Sequence, residues 1–180
     1  MQPIGPLMKE HRLIEQLIKY MSKELEKIRQ ERQADIGNID MILDFIKTYA
    51  DKCHHGKEED ILFQGLDKKP LIPEHRKILQ ELLAEHKYAR GVVNNLQQAK
   101  IRYSEGNVDS IPAIMESMDE LTIFYPRHIE KEDKHFFLPV MKYFSPAEQE
   151  KMVADFAVFD QALIHDKYQQ LIKELEQNRS

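Results

Sequence analysis

Cysteine and glycine are scarce in this sequence, and tryptophan is absent. The 180 residues include one cysteine, Cys53, and six glycines. A single cysteine excludes an intramolecular disulfide and any zinc or redox motif that needs paired cysteines. Few glycines, together with many leucine, isoleucine, glutamate, lysine and glutamine residues, favour helix. No strand-like alternation and no hairpin turn signature occurs, so the sequence predicts an all-α protein.

A basic excess and long apolar runs are missing as well. The formal net charge is −5, which does not provide the positive surface that a nucleic-acid partner requires. No window of about 18 consecutive apolar residues is present, so no membrane-spanning helix is predicted. The first residues lack the apolar run of a signal peptide. The expected location is therefore the cytoplasm, with neither nucleic acid nor membrane as a partner.

Apolar residues recur at helical spacing in five segments. The pattern predicts one domain over residues 1–180, with an up-down four-helix bundle over 7–140 and an additional C-terminal helix over 145–178. The start of that last helix is well marked, because Ser145, Pro146 and Glu148 occupy the N-cap, first and third positions. The helix is amphipathic, and we expect it to be available for a homodimer contact or for docking to a partner.

A polar motif that interrupts the apolar pattern occurs twice. One copy begins at His54 and the other at His128, and both read His-x-x-Lys-Glu-[Glu/Asp]-x-x-x-Phe. In each copy the histidine and the glutamate four positions later, Glu58 or Glu132, lie one turn apart on the same helix face. Two facing copies could therefore surround two cations inside the bundle.

A lone histidine precedes each copy of the motif. His11 precedes His54 by 43 positions and His86 precedes His128 by 42, so the chain consists of two helical hairpins of the same plan. Imidazole and carboxylate together suit iron, zinc or manganese. The predicted metal ligands are His11, His54, Glu58, His86, His128 and Glu132.

Taken together, these blocks resemble the hemerythrin-like, HHE cation-binding proteins, over roughly residues 7–140. The resemblance implies a non-haem di-iron centre, bridged by Glu58, Glu132 and an oxo or hydroxo group, with histidines as terminal ligands. Members of the family carry oxygen, sense oxygen or iron, or react with peroxide or nitric oxide. A protein that binds, senses or reduces such a small ligand is therefore the leading prediction.

Two departures from the oxygen carriers in that family matter. The carriers place two histidines one turn apart on the third helix. In this sequence the positions four residues before and after His86 are Leu82 and Arg90 instead. The missing histidine argues against reversible oxygen carriage. The carriers also use His-x-x-x-x-Asp on the fourth helix, which Asp133 satisfies relative to His128. Asp133 is thus an alternative bridge, although Glu132 is preferred because it matches the first copy of the motif.

Three further residues lie near the predicted ligands. Tyr125, three positions before His128, and His135, three positions after Glu132, share the predicted metal-facing side. Each is a candidate to support the site or to act as an alternative ligand. His55 should point about 100° away from its neighbour His54 in a regular helix, and it is interpreted as a surface or supporting residue.

Other functions remain compatible with the sequence. One alternative is an iron store or sensor without turnover, whose metal-dependent folding governs an interaction of the bundle with a partner. Another is a helical bundle that holds no metal, although that reading does not explain the repeated histidine and glutamate offsets. No nucleophile or acid–base dyad is recognisable, so the sequence leaves turnover open. Zinc and manganese remain alternatives to iron.

Overall fold

The computed structural model describes residues 2–160 and 162–177, and within them all regular elements are helical, which confirms the predicted all-α class. The helices are α1 (Ile4–Glu31), α2 (Ile36–Phe45, continuing through the π-helical stretches Ile46–His55 and Glu58–Phe63 to Gln64–Asp67), α3 (Pro73–Ser104), α4 (Ile111–Lys131, continuing through the π-helical stretch Glu132–Phe136 to Phe137–Val140), α5 (Pro146–Phe159) and α6 (Ala162–Gln177). Short 3-10 turns occupy Val108–Ser110 and Met141–Tyr143. None of the helices in the described part of the chain is long and apolar enough to cross a bilayer.

Helices α1 to α4 form the predicted four-helix bundle. α4 packs against α1 and α3, and α2 lies against the same two helices on the other side. Short loops join successive helices, which favours antiparallel neighbours. Local sequence marks the helix starts. The Asp35 carboxylate caps α2 by accepting from the Asn38 N–H at 3.1 Å, and Pro73 is the first residue of α3.

The C-terminal extension begins as predicted but is divided into two helices. Ser145 and Glu148 form a reciprocal capping box at the start of α5. The backbone is extended at Asp160, with ψ of 92°, so α5 ends there and a separate helix, α6, begins at Ala162. The predicted single helix over 145–178 is thus two helices, and residue 178 lies outside the described residues. In α6, Tyr168 and Ile172 are buried against the bundle of the same chain.

Two hydrophobic clusters lie on either side of a polar layer in the bundle. The larger includes Leu17 of α1 and Leu121 of α4, and it extends to Tyr168 of α6. The smaller includes Leu66 of α2 and Phe156 of α5, together with the end of α4. The polar layer between them contains the histidines and glutamates of the repeated motif. The fold therefore places these polar groups in the interior, with apolar packing above and below.

The packing of α5 on α2 leads to a testable difference between two glycines. A Cβ added at Gly56 would lie 2.8 Å from Cε1 of Phe159, whereas one added at Gly91 would meet nothing within 4 Å. Both glycines are helical, so both substitutions gain the helix propensity of alanine. We expect Gly56→Ala to be less stable than Gly91→Ala by about 1–3 kcal/mol, because the phenylalanine ring must move. Urea unfolding of both variants measures the difference, and equal stability would contradict close packing at Gly56.

Candidate metal centre

Two groups of buried side chains in the polar layer have the spacing of metal ligands. In the first group, one nitrogen or oxygen from each residue lies within 4.8 Å of the others, and its members are His11, His54, Glu58 and Glu132. The second group meets the same criterion and consists of His55, His86 and His128. All seven residues are buried. The structure thus brings the six sequence-predicted ligands together and adds His55.

The two glutamates face both groups. Oε2 of Glu132 lies 3.1 Å from Nε2 of His11, while its Oε1 lies 3.4 Å from Nε2 of His128. Oε1 of Glu58 lies 3.5 Å from Nε2 of His54, and its Oε2 lies 3.5 Å from Nε2 of His86. Each carboxylate therefore directs one oxygen to each group. The two groups form one continuous site with shared carboxylates at its middle.

Although the polar atoms of this site lie close to one another, several of them make no hydrogen bond of acceptable geometry with any described residue. They are both carboxylate oxygens of Glu58, both of Glu132, and Nε2 of His86 and of His128. Buried polar atoms are seldom left in this state, because the lost hydration costs free energy. Cations between the two groups would satisfy these atoms. The imidazole and carboxylate donors suit iron, manganese or zinc, so the residues present fit a metal site.

Carboxylates on the outside of the site orient four of the histidine rings. In each case Nδ1 lies against a carboxylate oxygen and Nε2 points inward, which is the arrangement typical of metal-binding histidines. The pairs are His11 with Asp133 at 2.7 Å, His54 with Glu10 at 2.8 Å, His86 with Glu59 at 2.7 Å and His128 with Glu85 at 2.8 Å. The outer carboxylates also follow the internal repeat. Glu10 corresponds to Glu85, and Glu59 corresponds to Asp133.

Asp133, the alternative bridge, lies on the outer side of His11. Its Oδ1 accepts from Nδ1 of His11, and its Oδ2 accepts from the guanidinium of Arg12. Its counterpart in the first copy of the motif is Glu59, which holds His86 in the same way. This placement favours Glu132 over Asp133 as the shared carboxylate.

Burial and mutual contact shift the pKa values of the glutamates and of His11 in the site. Burial and the charge of Glu132 raise the pKa of Glu58 well above its usual range. Burial raises the pKa of Glu132 too, but His128 and His11 together lower it well below the usual value. For His11, burial lowers the pKa, yet Asp133 and Glu132 raise it to about 9. Protons and cations therefore compete for the same inward-facing atoms.

The inward position of His55 is the main difference from the sequence prediction. The residue is only 2% exposed, and its ring stacks on His86 with the ring centroids 3.8 Å apart. Helix α2 is π-helical over Ile46–His55. Its i→i+5 turns are wider than those of an α-helix, so neighbouring residues diverge by less than the expected 100° and both His54 and His55 face the interior. The sequence did contain a signal that could have identified His55, namely two consecutive histidines at the end of an apolar stripe.

Tyr125 and His135 lie outside both groups. Tyr125 is buried, and with His55 it lines a pocket of about 290 Å³ whose walls also include Ala89 and Arg90. Burial raises the pKa of the Tyr125 hydroxyl. His135 is exposed, because the π-helical stretch Glu132–Phe136 changes the helical phase after Glu132.

Comparison with known proteins identifies one family. The model of the hemerythrin HHE cation binding domain matches residues 2–140. The matched range contains α1 to α4 and every residue of the two groups, and it ends before α5. No significant match was found among curated proteins or solved structures.

Proposed function

The chain belongs to the hemerythrin HHE cation-binding family, and from this premise we propose that it is a non-haem di-iron protein that binds, senses or reduces a small ligand such as O₂, peroxide or nitric oxide. The observation that carries the proposal is the pair of buried carboxylates with one oxygen directed to each histidine group. Such shared carboxylates suit two adjacent ions better than one.

In the proposed assignment, His11 and His54 bind one ion, while His55, His86 and His128 bind the other. Glu58 and Glu132 are shared. His55 then provides the imidazole that α3 lacks relative to the oxygen carriers. The first ion would have one histidine fewer than the second, which would leave more room for an external ligand, as in catalytic rather than structural sites.

Iron, when bound, would supply the redox chemistry and the ligand positions, while the chain holds the rings and limits access. Aromatic side chains close the site from several directions. Phe137 stacks on His11, Phe63 on His86 and Phe124 on His128, with ring centroids 5.5, 5.9 and 5.2 Å apart. This enclosure supports a ligand of a few atoms.

A second candidate is an iron store or sensor without turnover. The observation in its favour is the extension formed by α5 and α6, which lies outside the family match and contacts the metal-bearing helix through buried Lys57. Zinc in place of iron would favour a structural role, because Zn²⁺ has no redox chemistry.

The test of the proposed function is metal content and an optical spectrum, measured on protein purified without chelator and exposed to air. We expect about two irons per chain and near-ultraviolet charge-transfer bands that change on addition of azide, peroxide or nitric oxide. Zinc alone, or a spectrum that none of these ligands changes, would contradict a redox-active site.

The same measurement on His55→Ala tests the assignment of ligands. We expect this variant to bind one of the two ions at least 10-fold more weakly, because that ion loses an imidazole in direct contact with it. His135→Ala is the matched control, since His135 is an exposed histidine outside both groups, and it should keep both ions. Unchanged affinity for both ions in His55→Ala would exclude His55 as a ligand.

A further inference from the structure

Lys57 is a fully buried lysine one position before Glu58. Its side chain has no exposed surface, and its ammonium donates to the carboxylates of Glu10 and Asp160. The ammonium also lies 5.9 Å from the ring centroid of Phe156. Burying a lysine is costly unless partners hold it closely, so this arrangement needs an explanation beyond packing.

The partners of Lys57 form a linear chain that ends at a candidate metal ligand. Oε1 of Glu10 accepts from Lys57, and Oε2 of the same carboxylate lies 2.8 Å from Nδ1 of His54. Asp160 joins the chain at its other end, at the point where α5 stops. The order is therefore Asp160, Lys57, Glu10 and His54.

The second hairpin lacks this connection to the extension. There the equivalent lysine, Lys131, donates to Glu81 and Glu85, both on α3, and is 27% exposed. Glu85 orients His128 as Glu10 orients His54. The repeat thus uses Glu81 of the bundle in one half and Asp160 of the extension in the other, and the chain of polar contacts that starts at Asp160 leads to His54 of the first histidine group.

We propose that Asp160 is a positioning residue for His54, acting through Lys57 and Glu10. By holding Lys57 from the outer side, Asp160 keeps the ammonium in place against Glu10, which in turn fixes the ring and its inward-facing Nε2. Outer partners of this kind change metal affinity without touching the metal. Because such coupling is reciprocal, a cation on His54 also favours the docked position of α5. The metal part of the inference rests on the proposed function.

Asp160→Asn tests the proposal, with Tyr168→Phe as the matched control. Tyr168 also attaches the extension to the bundle, by donating to Oδ2 of Asp44 at 2.5 Å, but Asp44 lies away from the chain of contacts to His54. In metal-free protein, ¹⁵N spectra of the imidazoles should show shifted ring nitrogens for His54 in Asp160→Asn. His128 should be unchanged in that variant, and neither ring should shift in Tyr168→Phe.

A second measurement uses the metal-loaded protein. We expect Asp160→Asn to release one of its two ions to a chelator about 3–10-fold faster than the wild type, a smaller effect than that of a residue in direct contact with a ligand. Tyr168→Phe should release both at the wild-type rate. Unshifted His54 nitrogens in Asp160→Asn, or equal changes in both variants, would overturn the proposal. A wild type that binds no metal would overturn the proposed function instead, and the ¹⁵N spectra would still decide the role of Asp160.

Discussion

Glu132→Ala is expected to abolish the binding of both metal ions. One oxygen of Glu132 faces His11 of the first histidine group, and the other faces His128 and His86 of the second, at 3.1 to 3.7 Å. Replacing an outer residue that only supports a ligand already costs about 10–100-fold in affinity. Loss of a carboxylate that both ions share should lower the affinity for each ion by more than this factor. Metal analysis after gel filtration should therefore find almost no bound metal.

Glu130→Ala is the control for this variant. Glu130 lies two positions away on α4, is exposed and pairs with Lys134, so it should keep both ions. Circular dichroism should show both variants folded, because the apolar packing above and below the site is unchanged. Retention of one ion by Glu132→Ala would mean that Glu132 serves a single ion and that the carboxylate is not shared.

Removal of the metal is expected to lower the melting temperature strongly while leaving the helices formed. A ligand present at 1,000 times its dissociation constant stabilises the folded state by about 4 kcal/mol. For a chain of this size that corresponds to roughly 8–16 °C. Helix content should persist, since a hydrophobic cluster lies on each side of the polar layer and neither depends on a cation. Thermal unfolding followed by circular dichroism, with and without chelator, measures both quantities.

Glu132→Ala again provides the control, because chelator should not change its melting temperature. The result also separates the two candidate functions. Cooperative loss of helix on chelation at room temperature would favour a sensor whose fold depends on metal. An unchanged melting temperature in the wild type would argue that no metal contributes to the folded protein.

Much of this protein follows from local sequence patterns. The spacing of apolar residues defines the helices, because one face of each must be buried. Capping residues such as Ser145 define where helices begin. The repeat also shows which residues belong together: His54 and Glu58 share a helix face, as do His128 and Glu132, and the structure brings both pairs into one buried layer. The family of the chain follows from these same blocks.

Two features depend on the tertiary structure. His55 faces inward because α2 widens into a π-helix over Ile46–His55, and the expected rotation per residue assumes a regular α-helix. Lys57 and Asp160 meet across 103 positions of sequence, where no periodic pattern connects them. Periodicity acts over a few turns of one helix, so the sequence by itself determined the four helices of the bundle, the repeated motif and the family, but not the division of the C-terminal extension into two helices. Helical phase and contacts between distant segments depend on how all the helices pack together, so only the tertiary structure decided which neighbour of His54 joins the site and how the extension is attached to it.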